Sequence, residues 1–370
     1  MSISAGGSQL LEQEADVSKL LADYQLPESL GFGVEMAPVM YRADYMDGKW
    51  QRGALVPFAD VPVNPASTAL QFGQQCFEGM KAYQVESANP TLFRPNLNFR
   101  RFRKSARRLC MPEVPSSLFS EALSSITNAM RPFIPSGAGQ SLYLRPTLFG
   151  LDPHFAVKGS ERFAFLVLAS PSDAYYADPI RVMVEREDCR AAVGGTGAEK
   201  VGGNYGASLL ATERCIQKGF HQSLWLDPKS RCNIEELSAM NFMAVVDGAL
   251  CTPTLSGSIL DGVTRDSILD IARYNSIEAK DTVMPADELL ENIESGRCSE
   301  AFACGTGAIV CPISAIGEAD GKEYPLPKVN QMAMTLRSAL LDIQESRVPD
   351  PCGWVIDPRD REALAALLVK

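Results

Sequence analysis

Two apolar stretches separated by a polar gap occupy the middle of the chain: Leu142-Tyr-Leu-Arg-Pro-Thr-Leu-Phe-Gly150, then Arg162-Phe-Ala-Phe-Leu-Val-Leu168. Both read as strands, because apolar and β-favouring side chains follow one another as on a pleated backbone. Ser170-Pro171-Ser172-Asp173 and Ala177-Asp178-Pro179 then punctuate the chain, and a new apolar run opens at Ile180. Residues 171–179 are therefore expected to link a first domain, 1–170, to a second, 180–370. In the first, Phe99, Phe102, Ala106 and Leu109 recur at helical spacing, with Asn96 or Asn98 as the expected cap. Six basic residues between Arg100 and Arg108 share this helix, and helical geometry singles out none of them.

After Ile180 the pattern predicts a strand at 180–184, a glycine-rich loop, and a helix from about Ala207 to Lys218 that stops at Gly219. Short strands are expected at Gln222–Leu226 and Ile234–Glu236. Asn241–Val246 and Ala249–Pro253 flank Asp247-Gly248, a strong hairpin signal. A helix from about Thr264 to Tyr274 follows the turn Leu260-Asp261-Gly262, and a strand at Ala301–Cys304 runs into Gly305-Thr306-Gly307. The first 25 residues are polar enough to be loosely ordered.

Composition narrows the function. At 370 residues two domains are the default, and 46% apolar residues suffice for both cores. A net charge of −10 argues against nucleic acid or an anionic membrane as partner, since such binding needs clustered Lys and Arg. No apolar run is long enough to span a bilayer. The opening residues carry Glu12, Glu14 and Asp16 and lack a basic-then-apolar signal, so a cytoplasmic location is expected. The cysteines stand singly, without Cys-x-x-Cys, as reduced core thiols would. The presence of only His154 and His221 argues against a Ser-His-Asp triad or a histidine metal site, and no metal is expected.

One segment stands apart. Gly194-Gly-Thr-Gly-Ala-Glu-Lys-Val-Gly-Gly-Asn-Tyr205 sets a single basic side chain, Lys200, among five glycines. Glycine at that density permits unusual dihedrals and close approach, so the lysine either faces a ligand at short range or is solvated on a surface loop. The spacing fits neither a P-loop nor a dinucleotide turn. A lysine with a lowered pKa forms Schiff bases with aldehydes such as pyridoxal 5′-phosphate (PLP). That cofactor also wants an acid at its ring nitrogen and donors around its phosphate. Glu236, Val263 and Thr264 at a helix start, and Gly305-Thr306-Gly307 are available for these tasks. Each also has an ordinary reading: a solvated Glu235–Glu236 pair, a simple cap, a strand-to-helix turn. Their joint occurrence favours the cofactor.

Lys200-Val-Gly-Gly-Asn-Tyr205, Leu209-Leu210, Leu224-Trp-Leu-Asp227, Glu236 with Met240-Asn241-Phe242, Gly262-Val-Thr-Arg-Asp266 and Gly305-Thr306 resemble the branched-chain amino acid aminotransferases of PLP fold type IV. Cys76-Phe-Glu-Gly-Met-Lys-Ala-Tyr83 and Leu92-Phe-Arg-Pro-Asn-Leu-Asn-Phe-Arg-Arg101 extend the resemblance to about residues 30–355. It implies a mixed α/β and α+β fold of two domains, a smaller N-terminal and a larger C-terminal one, with the cofactor between them. Lys200 would carry PLP as a Schiff base and shuttle a proton. Tyr205 would bond its phenolate oxygen, Glu236 its ring nitrogen, and Arg101, Val263, Thr264 and Thr306 its phosphate. Phe32, Phe77, Tyr143 and Tyr205 would line the side-chain pocket, and Arg145 would receive the distal carboxylate of glutamate. Ala239, Gly307 and Ala308 would also meet substrate, Ala239 through a turn whose backbone N–H groups take the α-carboxylate.

The implied reaction moves an amino group between leucine, isoleucine or valine and 2-oxoglutarate, in a homodimer to which a loop near Phe155 and Val157 contributes. Leu70-Gln71-Phe72-Gly73 departs from the family's Leu-His-Tyr-Gly, so a tyrosine hydroxyl beside Arg145 is expected to be missing and the glutamate half-reaction to suffer. Ser238-Ala239 replace the family's Gly-Gly or Gly-Thr. Ala308 stands where some members have the first cysteine of a redox pair, so Cys311 is not expected to act as a switch. The alternatives are a D-amino acid aminotransferase or aminodeoxychorismate lyase of the same fold, or a non-catalytic PLP-binding paralogue.

Overall fold

The computed structural model describes residues 16–85, 89–173 and 178–369. Most of the expected loose start, residues 1–15, and part of the expected linker, 174–177, lie outside the described residues. Two compact units are present: Met1–Ala174 together with Ile343–Lys370, and Tyr175–Asp342.

The first unit is built on a nine-stranded antiparallel sheet. One of its two longest members, Ser141–Gly150, pairs along its whole length with the other, Phe163–Ser172, and, on the other side, with Met80–Tyr83 and Gln75–Phe77. The alternation read in the sequence is thus a strand with one face in the core: Leu142, Leu144 and Leu148 are fully buried, while Tyr143, Arg145 and Thr147 share the opposite face. Helices Pro95–Arg108 and Ser116–Met130 contribute Phe99, Phe102 and Phe119 to an aromatic cluster that reaches Phe165 of the sheet.

Three expectations change here. The helix begins at Pro95 and neither asparagine caps it: Arg94 turns the chain in the left-handed region at φ 46°, and Pro95 presets the first turn. Asn98 lies inside the helix, buried, with its amide on Glu78. The strand Phe163–Ser172 runs through Pro171, paired with Leu142, so the first two residues of the expected linker belong to the sheet. Residues 343–370, expected in the second domain, belong to the first unit, because Arg361–Leu368 packs on the two helices and Val355–Ile356 pairs with Thr91–Phe93. With them the N-terminal unit is the longer one, reversing the expected sizes.

The second unit is a mixed sheet that closes on itself. The path runs through Ile234–Leu237, Gln222–Leu226, Ile180–Glu185, Ile309–Gly317, Cys298–Gly305 and Asn241–Val246, and the last pairs back to the first through Glu236 and Asn241. Closure removes two sheet edges and encloses a core that includes Leu224, Phe242, Ala303 and Ile313. The expected hairpin is present, with Asp247 at φ 50° and Gly248 at φ 82°. The expected helix 207–218 is instead two, Gly202–Ala207 and Leu209–Gln217. At the break the Ser208 hydroxyl donates to the Tyr205 carbonyl, a local bond that competes with continuous helix. Gly305-Thr306-Gly307 joins two antiparallel strands, Cys298–Gly305 and Ile309–Gly317, rather than a strand and a helix.

Candidate active site

Lys200 ends the glycine-rich loop just before the helix Gly202–Ala207, and its Nζ donates to the Tyr205 hydroxyl at 2.8 Å. The helix that starts at Gly202 brings Tyr205 back over the lysine. Asn204 braces the loop from within: its amide donates to the carbonyls of Thr196 and Glu199, and its Oδ1 accepts from the Thr196 hydroxyl. Both Lys200 and Tyr205 are half-buried. A lysine so held is the opposite of a solvated loop residue.

Glu236 lies at the seam where the sheet closes and is buried. Its Oε2 accepts from the Asn241 amide at 3.2 Å, and its Oε1 accepts from the Leu260 N–H at 3.1 Å. Arg190 pairs with the same Oε1 at 2.5 Å. Burial pushes the Glu236 carboxyl up to about 7; Arg190, the Leu260 N–H and Lys200 pull the other way. Glu235 and Glu236 are both buried, so they are not a solvated pair.

Asn241 also donates to the Leu260 carbonyl, so the approach to the helix Val263–Tyr274 is tied to the acid. Gly262 fits here because it has no side chain: a Cβ would stand 1.9 Å from Asn241 Oδ1. The helix opens without a side-chain cap, leaving backbone N–H groups at Val263 and Thr264 oriented for an anion. The Gly305–Gly307 turn lies beside the same seam, since a Cβ on Gly305 would meet Met240 at 3.3 Å. Thr306 and Gly307 are half-buried there, and Ala308 is buried. Ala239 is exposed, and its N–H donates to Gln222 Oε1 at 3.3 Å.

In the first unit Arg101 is buried and forked against the fully buried Glu78, with Nε at 2.6 Å from Oε1 and Nη2 at 2.9 Å from Oε2. Asn98 donates to the same Oε2 at 2.8 Å, which fixes the plane of the guanidinium. Phe32, Phe77, Tyr143 and Arg145 come together at the half-buried face of the long strand. Phe32 meets Tyr143 edge to face with ring centres 5.0 Å apart, and the Arg145 guanidinium lies 4.8 Å over the Phe77 ring. Arg145 Nη2 donates to the Tyr143 hydroxyl at 3.1 Å. Phe72, which carries no hydroxyl, is exposed against His154, and the hydroxyl that reaches Arg145 is that of Tyr143, two residues away on its own strand. The buried Lys81, paired in register with Tyr143, adds a cation near the Phe32 ring.

Arg190 and Glu78 are the residues that sequence reasoning passed over. Glu78 sits in the Phe-Glu-Gly stretch and offered a signal, a lone acid among apolar neighbours. Arg190 offered none, being one of several charges in Arg186-Glu-Asp-Cys-Arg190.

Residues 75–316 match the amino-transferase class IV family. A probable branched-chain-amino-acid aminotransferase of Streptomyces coelicolor is 38% identical over 331 residues, 88% of this chain and 91% of that protein. Branched-chain-amino-acid transaminase 1 of Bacillus subtilis is 35% identical over 338 residues, 90% and 95% of the two chains. The solved structure of a T.th. branched-chain amino acid aminotransferase with pyridoxamine 5′-phosphate superimposes with a TM-score of 0.70 at 26% identity, covering 90% of this chain and 100% of that one. The chain belongs to the class IV aminotransferases, and it is an enzyme of that fold.

Proposed function

We propose that this enzyme is a PLP-dependent aminotransferase that moves an amino group reversibly between leucine, isoleucine or valine and 2-oxoglutarate. The observation that carries the reading is the pairing of Lys200 with Tyr205 in the same closed unit as the buried acid Glu236. The residues fit the cofactor: an amine, a hydroxyl, an acid without solvent, and a helix start lacking a side-chain cap. When bound, PLP supplies an electron sink conjugated to the substrate Cα.

Lys200 would hold PLP and afterwards move the proton at the substrate Cα, its Nζ kept in line by the Tyr205 hydroxyl. Glu236, steadied by Arg190 and Asn241, would keep a proton on the ring nitrogen, where a neutral side chain could not. Val263, Thr264, Thr306 and Arg101 would hold the phosphate, Arg101 in the plane that Glu78 and Asn98 impose. Phe32, Phe77 and Tyr143 would receive a branched apolar side chain, and Arg145, backed by Tyr143, the distal carboxylate of the dicarboxylic partner. Ala239, Gly307 and Ala308 would complete the substrate contacts. The exposed Phe155 and Val157 support a homodimer in which this loop meets a second copy. Cys76, Cys215, Cys251, Cys298, Cys304 and Cys311 are buried free thiols, which supports a reducing, cytoplasmic setting. No helix among the described residues is long and apolar enough to cross a membrane.

A visible spectrum of the purified protein tests this. A band that changes on adding leucine without a keto acid is expected, and it should be lost in Lys200→Ala together with turnover. A Lys200→Ala protein with full transamination would overturn the assignment.

A further inference from the structure

Glu235 adjoins Glu236 on the strand Ile234–Leu237, and both carboxylates are buried. Neighbours on a strand point to opposite faces, so on an open strand at least one of the two would reach water. Here the strand closes a ring and neither does. Glu235 Oε1 accepts from the Ser256 hydroxyl at 3.1 Å and from the Ser258 hydroxyl. Its Oε2 has no hydrogen-bond partner among the described residues, and neither has Arg190 Nε. The Ser258 carbonyl in turn accepts from Arg190 Nη2, the nitrogen that pairs with Glu236. One guanidinium thus stands among two buried acids, joined to one directly and to the other through Ser258.

We propose that Glu235 is a tuning residue of the active site, whose charge, relayed through Arg190, sets how firmly Glu236 keeps its own negative charge. This rests on the reading of Glu236 as the acid at the PLP ring nitrogen. In a poorly solvated site two like charges compete for one cation, and each favours a proton on the other. Burial raises the proton affinity of Glu235, against which the Ser258 and Ser256 hydroxyls and Arg190 work; Asp227 reinforces the rise. The other groups facing Glu236 are Lys200, which favours its charge, and the Cys304 thiol, pushed up to about 12 by burial and therefore neutral. The serine pair decides how much negative charge Glu235 carries, and with it how much of Arg190 is left to Glu236.

The test is the pH midpoint of the visible band of the PLP-loaded enzyme without substrate, measured for the parent and for Glu235→Gln. Removing a neighbouring negative charge lowers proton affinities nearby, so the midpoint is expected to fall by about one pH unit. A residue that merely anchors the 256–258 segment would change the melting temperature and leave the midpoint alone; an unshifted midpoint overturns the proposal. Should Glu235→Gln not fold, Ser258→Ala serves instead. A carboxylate that loses a hydroxyl donor takes up a proton more readily, so the midpoint should move the same way by a smaller amount, and no movement overturns the proposal equally. A parent protein with no visible band would overturn the PLP reading and this inference with it, whereas a parent band that neither variant shifts overturns the inference alone.

Discussion

At the scale of single residues, Glu236 and Arg145 show how neighbours set what a charged side chain does. Glu236 has two backbone or amide donors and one guanidinium around a carboxylate without solvent, which holds its charge in place for a ring nitrogen. Glu236→Gln keeps the shape and loses the charge, so kcat is expected to fall by about two to four orders of magnitude. Stopped-flow half-reactions with leucine would measure it, and parent-like rates would return Glu236 to a purely structural role. Arg145 Nη2 donates to the Tyr143 hydroxyl. A lost hydrogen bond to a charged group is worth about 1.5–3 kcal/mol, or about ten- to a hundred-fold in kcat/KM. Tyr143→Phe should therefore weaken 2-oxoglutarate by that factor and leave 2-oxoisocaproate nearly unchanged. Equal losses for both keto acids would show that Tyr143 is only a wall.

At the scale of elements, local pattern and long-range pairing part company. The long strand, the Asp247-Gly248 hairpin and the helix at Val263–Tyr274 were legible because alternation, a turn dipeptide and helical spacing act within a few residues. Lys200 and Glu236 stood out for a related reason, glycine density and an acid at a strand end, whereas Tyr205 was pointed to by the family resemblance alone. What stayed hidden depends on contacts across the chain. Asn98 looked like a cap but is held inside its helix by Glu78, twenty residues earlier. Pro171 looked like a terminator but lies opposite Leu142 on a strand whose register its neighbours fix. Arg190 meets Glu236 from a segment distant in sequence, which the sheet brings near. Closure of the sheet makes Gly262 sensitive: Gly262→Ala would press a methyl onto Asn241 Oδ1 and disturb both the acid and the helix start. A loss of about 1–3 kcal/mol in stability, with weakened PLP binding, is expected. Unfolding midpoints in urea and a PLP titration would check it, and a variant that keeps both would mean the seam yields without consequence.

At the scale of the whole molecule, buried and hydrogen-bonded acids oppose one another in the dependence of stability on pH. Asp152 is held down to about 2, with its largest effect, partial burial, outweighed by Arg162, the Glu161 and Arg162 N–H groups and the Ser160 hydroxyl. Asp227 is lowered likewise by the backbone and hydroxyl groups of residues 230–233, against the opposing effect of burial. Their native forms bind protons less tightly than the unfolded chain, so the stability they contribute is present above about pH 4 and is lost as pH falls below it. Glu236 has the opposite sign. Its native carboxyl, raised from 4.5 to about 7 by burial, binds a proton more tightly than the unfolded chain does, so its contribution is full below about pH 4.5 and disappears as pH rises through 7. One proton across that window is worth at most about 3 kcal/mol. The chain freed of PLP should therefore lose stability between pH 5 and pH 8, and Glu236→Gln should remove the share of that slope that Glu236 contributes, leaving the smaller share of Glu235, whose proton affinity burial also raises. Leaving Arg190 without its partner adds an offset that does not vary with pH, so the slope and not the offset carries the prediction. Melting temperatures of both proteins at pH 5, 6, 7 and 8 decide it: the variant should gain on the parent steadily as pH rises. A gap that stays constant would mean that Glu236 is ionised throughout, kept so by Arg190 and Asn241 against the pull of burial.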